Sequence, residues 1–103
     1  MKISFDFDGV LTDPKLTVLA KQFIDLGADV WIVTRRSPIW NNEHLKQVQL
    51  HLGIPDSRVL FTDLDFKAGY LLDFDLHIDD DQNDIDLINT PVSNCLALKY
   101  TSN

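Results

Sequence analysis

The chain has 103 residues, enough for one small domain with a single hydrophobic core. Its composition, 45% hydrophobic and 24% charged, is that of a globular protein and excludes a disordered or fibrous chain. With 9 basic and 16 acidic residues the formal net charge is -7, which argues against non-specific binding to nucleic acid or to an anionic membrane.

The sequence shows no targeting or membrane segment. No stretch approaches the roughly 18 apolar residues of a membrane span, and the N-terminus leads directly into a strand pattern. The single cysteine, Cys95, cannot form an internal disulfide and is expected to be a small core residue. We therefore expect a cytoplasmic protein that does not associate with membranes.

The first predicted strand, residues 2–7, runs into two aspartates, Asp6 and Asp8. A turn at Gly9 and an N-cap at Asp13 then lead into a helix. Its buried stripe consists of apolar residues at helical spacing: Leu16, Leu19, Ala20 and Phe23. Two carboxylates one residue apart resist leaving water unless a cation or a shared proton compensates them, so the turn suggests a site.

Strand and helix patterns alternate along the rest of the chain. Further strands are predicted at residues 28–34, 58–61, 76–79 and 95–98. Further helices are predicted between Pro38 and Gly53, at 65–72 with Ala68, Leu71 and Leu72 facing inward, and at 83–89. Short connections indicate one α/β domain over residues 1–103, a three-layer Rossmann-like fold around a mostly parallel five-stranded sheet.

The predicted strand ends carry the polar residues Asp6, Asp8, Thr34, Asp79 and Asp80. In such sheets ligands bind beyond the carboxyl ends of the strands, so these side chains should meet at one edge. Oxygen ligands without cysteine or histidine at ligand spacing indicate Mg²⁺ rather than zinc. Phosphoryl transfer is therefore the leading class of reaction.

Two other carboxylate-rich sites fit the sequence less well. A calcium loop of the EF-hand type would need ligands at Ser4 and Lys15, and a loop starting at Asp79 would have Asp84 in place of glycine. A receiver domain would need a phospho-acceptor on the third strand, where residues 58–61 offer none. His44, His51 and His77 are expected to be surface or hydrogen-bonded core residues rather than ligands.

Four short motifs resemble those of the haloacid dehalogenase superfamily of phosphohydrolases and occur in the same order along the chain. The run 3–13, with Asp-Phe-Asp-Gly, resembles the first motif, and the apolar strand ending at Thr34 resembles the second. Lys67 resembles the third, and Asp79 with Asp80 resembles the paired-acid form of the fourth. The resemblance covers residues 3–80.

The resemblance implies that Asp6 is the nucleophile that becomes an aspartyl phosphate. Asp8 would be the general acid for the leaving oxygen and then the base for water. Thr34 and Lys67 would bind the phosphoryl oxygens. As alternatives, Thr34 could be only a helix N-cap and Lys67 a solvated helix lysine.

The same resemblance implies a Mg²⁺ ion held by the Asp6 carboxylate, the Asp8 backbone carbonyl and the Asp79 carboxylate, with Asp80 nearby through water. Asp84 is an alternative source of the second acid. Asp80, Asp81 and Asp84 could instead be capping or first-turn acids of the last helix.

The chain departs from many members of this family in having no room for a cap domain, either after Asp8 or before Lys67. The site would be open, so a large substrate or a second copy of the chain would cover it. Arg35, Arg36 and Trp40 follow Thr34 and suit a phosphorylated substrate such as a nucleotide or a nucleic-acid end, with Arg35 binding phosphate. A helix-capping loop with a packed tryptophan is the alternative.

These observations predict a capless, Mg²⁺-dependent phosphomonoester hydrolase. A second hypothesis is a non-catalytic relic of the same fold that binds Mg²⁺ and a phosphorylated ligand without turnover.

Overall fold

Five strands and three α-helices alternate in the computed structural model, which describes residues 1–102. The strands are β1 (Lys2–Phe5), β2 (Asp29–Thr34), β3 (Val59–Phe61), β4 (Leu76–Asp79) and β5 (Leu96–Lys99). The helices are α1 (Pro14–Asp25), α2 (Glu43–Leu52) and α3 (Gln82–Ile88). None of these helices is long and apolar enough to cross a membrane.

The sheet has the strand order β3-β2-β1-β4-β5, and every neighbouring pair is parallel. β1 is central: the chain first extends the sheet to one side through β2 and β3, then crosses to the other side with β4 and β5. Strand order therefore reverses beside β1, and crevices for ligands form at such points in parallel sheets.

Each face of the sheet has its own apolar core. Ile3, Phe5 and Ile32 pack with α1 and α2 on one face. Val33 packs on the other face with residues of α3 and the preceding loop: Leu71, Phe74, Ile85 and Ile88. Helices on both faces explain why the central strands read as nearly continuous apolar runs.

The predicted α/β fold is confirmed, with a sheet that is parallel throughout. The connection from β1 to α1 contains only a wide turn, Phe7–Leu11, and the loop from β3 to Lys67 is equally short. No cap domain is present among residues 1–102. Cys95 is buried in the core, as predicted, and burial raises the pKa of its thiol to about 11.

The helix predicted at residues 65–72 is wrong. The structure has a single 3₁₀ turn, Ala68–Tyr70, and Leu72 points outward with 68% of its surface exposed. A short segment with a central glycine cannot repay the cost of nucleating an α-helix. Its position is fixed instead by Lys67 and Leu71, which are buried on either side of the turn.

Candidate active site and metal centre

A crevice of about 240 Å³ opens at the carboxyl ends of β1, β2 and β4. All the predicted site residues line it: Asp6, Asp8, Thr34, Arg35, Lys67, Asp79 and Asp80. Arg36, Trp40, Leu64 and Asp81 complete the lining. A larger groove of about 430 Å³ lies between α1 and α2, but no carboxylate lines it.

The wide turn Phe7–Leu11 places the two aspartates of the first motif in different environments. Asp6 continues from β1, and its backbone N–H donates to the Ile78 carbonyl at 2.9 Å. Asp6 is buried, whereas the side chain of Asp8 is 56% exposed. Gly9 turns the chain with φ at +74°, and any Cβ there would overlap Oδ2 of Asp80.

Lys67 is the central cation of the site, with a side chain only 2% exposed. Its Nζ lies 2.9 Å from Oδ1 of Asp6 and 2.5 Å from Oδ2 of Asp79. Burial alone would lower the pKa of Lys67, but the charges and hydrogen bonds of Asp6 and Asp79 outweigh it and raise that pKa. The alternative of a solvated helix lysine is therefore wrong.

Asp84 is a third carboxylate beside Lys67. Its Oδ1 accepts the Lys67 backbone N–H at 2.9 Å, and its Oδ2 lies 3.8 Å from Lys67 Nζ. Asp84 lies in the first turn of α3, as expected, but it is completely buried. Asp81 is the N-cap of α3, also as expected, through a 2.9 Å bond from Asn83 N–H.

Asp79 uses both of its carboxylate oxygens within the protein. Oδ1 accepts the backbone N–H groups of Asp80 and Asp81, at 2.8 and 3.0 Å. Oδ2 accepts from Lys67 and lies 2.7 Å from Nε2 of His77. Burial opposes ionisation, but His77 and Lys67 hold the pKa of Asp79 well below its ordinary value. These four donors match the roughly four acceptor directions of a carboxylate.

His77 is a buried, hydrogen-bonded core residue, as predicted, whereas His44 and His51 are exposed on α2. Nδ1 of His77 lies 2.6 Å from Oγ of Ser4. Burial lowers the pKa of His77. The neutral ring fits these partners, with Nε2 donating to Asp79 and Nδ1 accepting from the Ser4 hydroxyl.

Asp6 and Asp80 are the carboxyl groups of the site whose ionisation is opposed by their surroundings. Burial raises the pKa of Asp6 to about 8, with the Asp79 and Asp80 charges adding to it against the opposing effect of Lys67. Burial and the charge of Asp79 also raise the pKa of Asp80. One oxygen each of Asp6, Asp79 and Asp80 lie within 4.8 Å of one another.

This donor set fits a hard divalent cation, because it offers only oxygens and carries negative charge that a cation would neutralise. Asp79 already accepts four hydrogen bonds, so Asp6 and Asp80 have the freer oxygens. The role of Asp79 as a ligand of Mg²⁺ stays a prediction, because one of its oxygens lies in the same cluster.

The two arginines after Thr34 point to different partners. Arg35 donates to Asp81 at 3.1 Å and to the Leu64 carbonyl at 3.1 and 3.3 Å. Arg36 forms a bidentate pair with Asp8, in which Nε and Nη2 each lie 2.8 Å from a carboxylate oxygen. The sequence shows adjacent arginines but not their directions, so the Asp8–Arg36 pair was not predicted.

Thr34 is buried at the end of β2, and its Oγ1 accepts the backbone N–H of Arg36 at 3.2 Å. This bond resembles the capping role considered as the alternative. It uses an acceptor lone pair rather than the hydroxyl proton, which remains available for an anionic ligand.

Comparison of the chain with protein-family models gives no match, and neither does comparison with curated proteins.

Proposed function

We propose that this protein is a Mg²⁺-dependent phosphomonoester hydrolase of the haloacid dehalogenase type. The observation that carries the proposal is the buried ion pair between Lys67 Nζ and Oδ1 of Asp6, which are 2.9 Å apart at the carboxyl end of β1. Asp80, which follows β4, lies beside this pair. A buried carboxylate next to a fixed ammonium and a candidate cation site suits attack on a phosphoryl group.

In the first half of the reaction an Asp6 carboxylate oxygen bonds to phosphorus and the ester P–O bond breaks. The leaving oxygen takes a proton from Asp8. In the second half, Asp8 takes a proton from water, whose oxygen bonds to phosphorus. The bond between phosphorus and Asp6 then breaks, which releases phosphate and restores the Asp6 carboxylate.

Bound Mg²⁺ would offset the negative charge of the phosphoryl oxygens and orient them. Asp6 and Asp80 would hold the ion, together with the Asp8 backbone carbonyl and the Asp79 carboxylate expected from the family resemblance. Asp79 would also fix Lys67, through the 2.5 Å contact between Oδ2 and Nζ. The Lys67 ammonium and the Thr34 hydroxyl would bind phosphoryl oxygens.

The substrate is proposed to be a nucleotide or a nucleic-acid end. Support comes from Trp40, which lines the crevice with 48% of its surface exposed and offers a face for stacking. No cap closes the crevice among residues 1–102, so a large substrate or a second copy of the chain would shield it. The proposed cytoplasmic location is supported by Cys95, a buried free thiol.

One observation favours the alternative, a relic that binds Mg²⁺ and a phosphorylated ligand without turnover. Both oxygens of Asp8 accept hydrogen bonds from Arg36, so the proposed general acid is engaged in a salt bridge.

The test is phosphate release from p-nitrophenyl phosphate with saturating Mg²⁺, measured for wild type, Asp6→Asn, Asp8→Asn and Asp73→Asn. We expect no release by Asp6→Asn and a loss of about 10²–10⁴-fold for Asp8→Asn. Asp73, an exposed partner of Lys2, is the control and should leave turnover unchanged. Wild-type turnover in Asp6→Asn would contradict the proposal, and Mg²⁺-dependent phosphate binding without release would support the relic.

A further inference from the structure

We propose that Arg36 forms a subsite for a second anionic group of the substrate, and that this group releases Asp8 by replacing it at the guanidinium. The inference rests on the proposed function and adds a substrate class to it: phosphomonoesters with a second phosphate or carboxylate near the scissile group.

Arg36 is anchored independently of Asp8. Its Nη1 donates to the Asn41 carbonyl at 3.2 Å and to Oδ1 of Asn42 at 3.3 Å. The guanidinium also lies 5.1 Å from the centre of the buried Phe7 ring. Asn42 is buried, and its amide donates to two backbone carbonyls. The arginine can therefore stay in place when its carboxylate partner changes.

Asp8 is the more exposed and less anchored member of the pair. Its side chain is 56% exposed, against 22% for Arg36, and none of its other described contacts holds the carboxylate. A rotation about its side-chain bonds would carry the carboxylate away from Nε and Nη2 of Arg36. Because the Asp8 side chain is exposed, water can solvate its carboxylate after it leaves the guanidinium, which limits the cost of the exchange.

The exchange matters because Arg36 holds both oxygens of Asp8. While each accepts an N–H of Arg36 at 2.8 Å, the carboxylate is fixed against the guanidinium and has only its outer lone pairs for a leaving oxygen or a water molecule. A planar guanidinium binds phosphate and carboxylate through the same two parallel hydrogen bonds. A second anion on the substrate is therefore a direct replacement for Asp8.

The other cations of the crevice are less suited to this role. Lys67 is buried among three carboxylates, and Arg35 donates to Asp81 and the Leu64 carbonyl. Among the cations that line the crevice within residues 1–102, Arg36 is the one whose carboxylate partner, Asp8, is exposed.

The test compares kcat and KM for phenyl phosphate and for phenyl phosphates with a carboxylate or a neutral carboxamide at the meta or para position. A nucleoside 3′,5′-bisphosphate compared with the 5′-monophosphate, and a 5′-phosphorylated dinucleotide, distinguish a second phosphomonoester from a phosphodiester as the anion. The variants are Arg36→Met, Arg36→Lys and, as a control, Arg58→Met, which alters an exposed arginine paired with Asp29 away from the crevice.

We expect wild type and Arg58→Met to prefer at least one doubly anionic substrate about tenfold or more in kcat/KM, partly through kcat. Arg36→Met should lose this preference, so that its kcat/KM for the doubly anionic substrate relative to phenyl phosphate falls to about that of the neutral carboxamide. Arg36→Lys should restore part of the preference through KM. Absence of any preference in wild type, or an equal loss for all substrates in Arg36→Met, would overturn the inference.

A binding measurement separates this inference from the proposed hydrolysis. Calorimetry with Mg²⁺ compares phenylphosphonate with carboxyphenylphosphonates for wild type and Arg36→Met. Tighter binding of a carboxylated probe that disappears in Arg36→Met supports the subsite even if wild type releases no phosphate. Equal binding of all probes to wild type contradicts the subsite even if Asp6-dependent hydrolysis is found.

Discussion

The buried ammonium of Lys67 faces more negative charge than it can balance. Asp6 and Asp79 contact it directly, and Asp84 lies 3.8 Å away. The electrostatic cost of this excess falls on Asp6, whose pKa is raised to about 8, and on its neighbour Asp80, whose pKa is also raised. At the scale of single residues, this excess of carboxyl groups supports the proposal that a cation binds in the site.

The stabilisation by Mg²⁺ should therefore depend on pH. The pKa of Asp6 rises from 3.8 to about 8 on folding, so the folded chain binds the extra proton between these values. The contribution of Asp6 to the stability of the metal-free protein falls as pH rises through this range. Mg²⁺ competes with that proton, so it should raise Tm more at about pH 8 than at about pH 6.

Thermal unfolding with and without Mg²⁺ at the two pH values measures this effect, with Asp6→Asn as the comparison. The asparagine side chain of that variant has no proton to release, so the pH dependence of the Mg²⁺ shift should be lost. An equal shift at both pH values in wild type would contradict the assigned role of Asp6.

Sequence reasoning identified the site residues better than their contacts. Asp6 and Thr34 could be placed at the crevice, because the carboxyl ends of parallel strands meet at one edge of the sheet, whereas Lys67 was expected there only from the family resemblance. The hydrogen bonds that occupy both oxygens of Asp79 could not be predicted. They come from two backbone N–H groups of the following turn and from His77, two residues earlier in β4.

At the scale of elements, the wide turn Phe7–Leu11 follows Asp6 and borders the candidate cation site. Gly9 lies in the left-handed region, and its missing side chain makes room for the Asp80 carboxylate. Any other residue at this position would displace the Asp80 carboxylate. Sequence indicated a turn at Gly9 but not this contact, which joins residues far apart in the chain.

Gly9→Ala should separate backbone strain from loss of the site. Gly53→Ala is the matched control, because Gly53 has a similar φ of +72° but no atom within 4 Å of an added Cβ. Both variants should lose about 1–2 kcal/mol of stability through the left-handed backbone. Only Gly9→Ala displaces Asp80, so only it should bind Mg²⁺ about tenfold more weakly or worse.

Urea unfolding and a Mg²⁺ titration of both variants give the two quantities. Unchanged Mg²⁺ affinity in Gly9→Ala would show that Asp80 does not hold the ion. Equal weakening in Gly53→Ala would assign the effect to strain.

The loop from β3 to Lys67 shows why one predicted element failed. Asp63 and Leu64 have φ values of +52° and +72°, in the left-handed region. Aspartate tolerates this region, but a bulky residue such as leucine rarely adopts it. The Leu64 backbone pairs with Arg35, donating its N–H to the Arg35 carbonyl and accepting from the guanidinium. These long-range contacts outweigh the local helical pattern, and they cannot be read from residues 65–72 alone.

For the whole molecule, the alternation of strand and helix was sufficient to predict a parallel sheet with its site at one edge. The strand order was not predictable in the same way, because periodicity does not state on which side of β1 each strand is added. The crossing between β3 and β4 brings the acids of β4 beside Asp6 and opposite Thr34 of β2. The chemistry therefore depends on the topology as much as on the motifs.

The most direct test of the account is to trap the covalent intermediate on Asp6. Protein turning over p-nitrophenyl phosphate with Mg²⁺ is quenched and treated with borohydride, which reduces an aspartyl phosphate to homoserine and releases phosphate. We predict homoserine at position 6 in wild type, and more of it in Asp8→Asn if hydrolysis of the intermediate slows most. Steady phosphate release with aspartate unchanged at position 6, or with homoserine at another residue, would contradict the account.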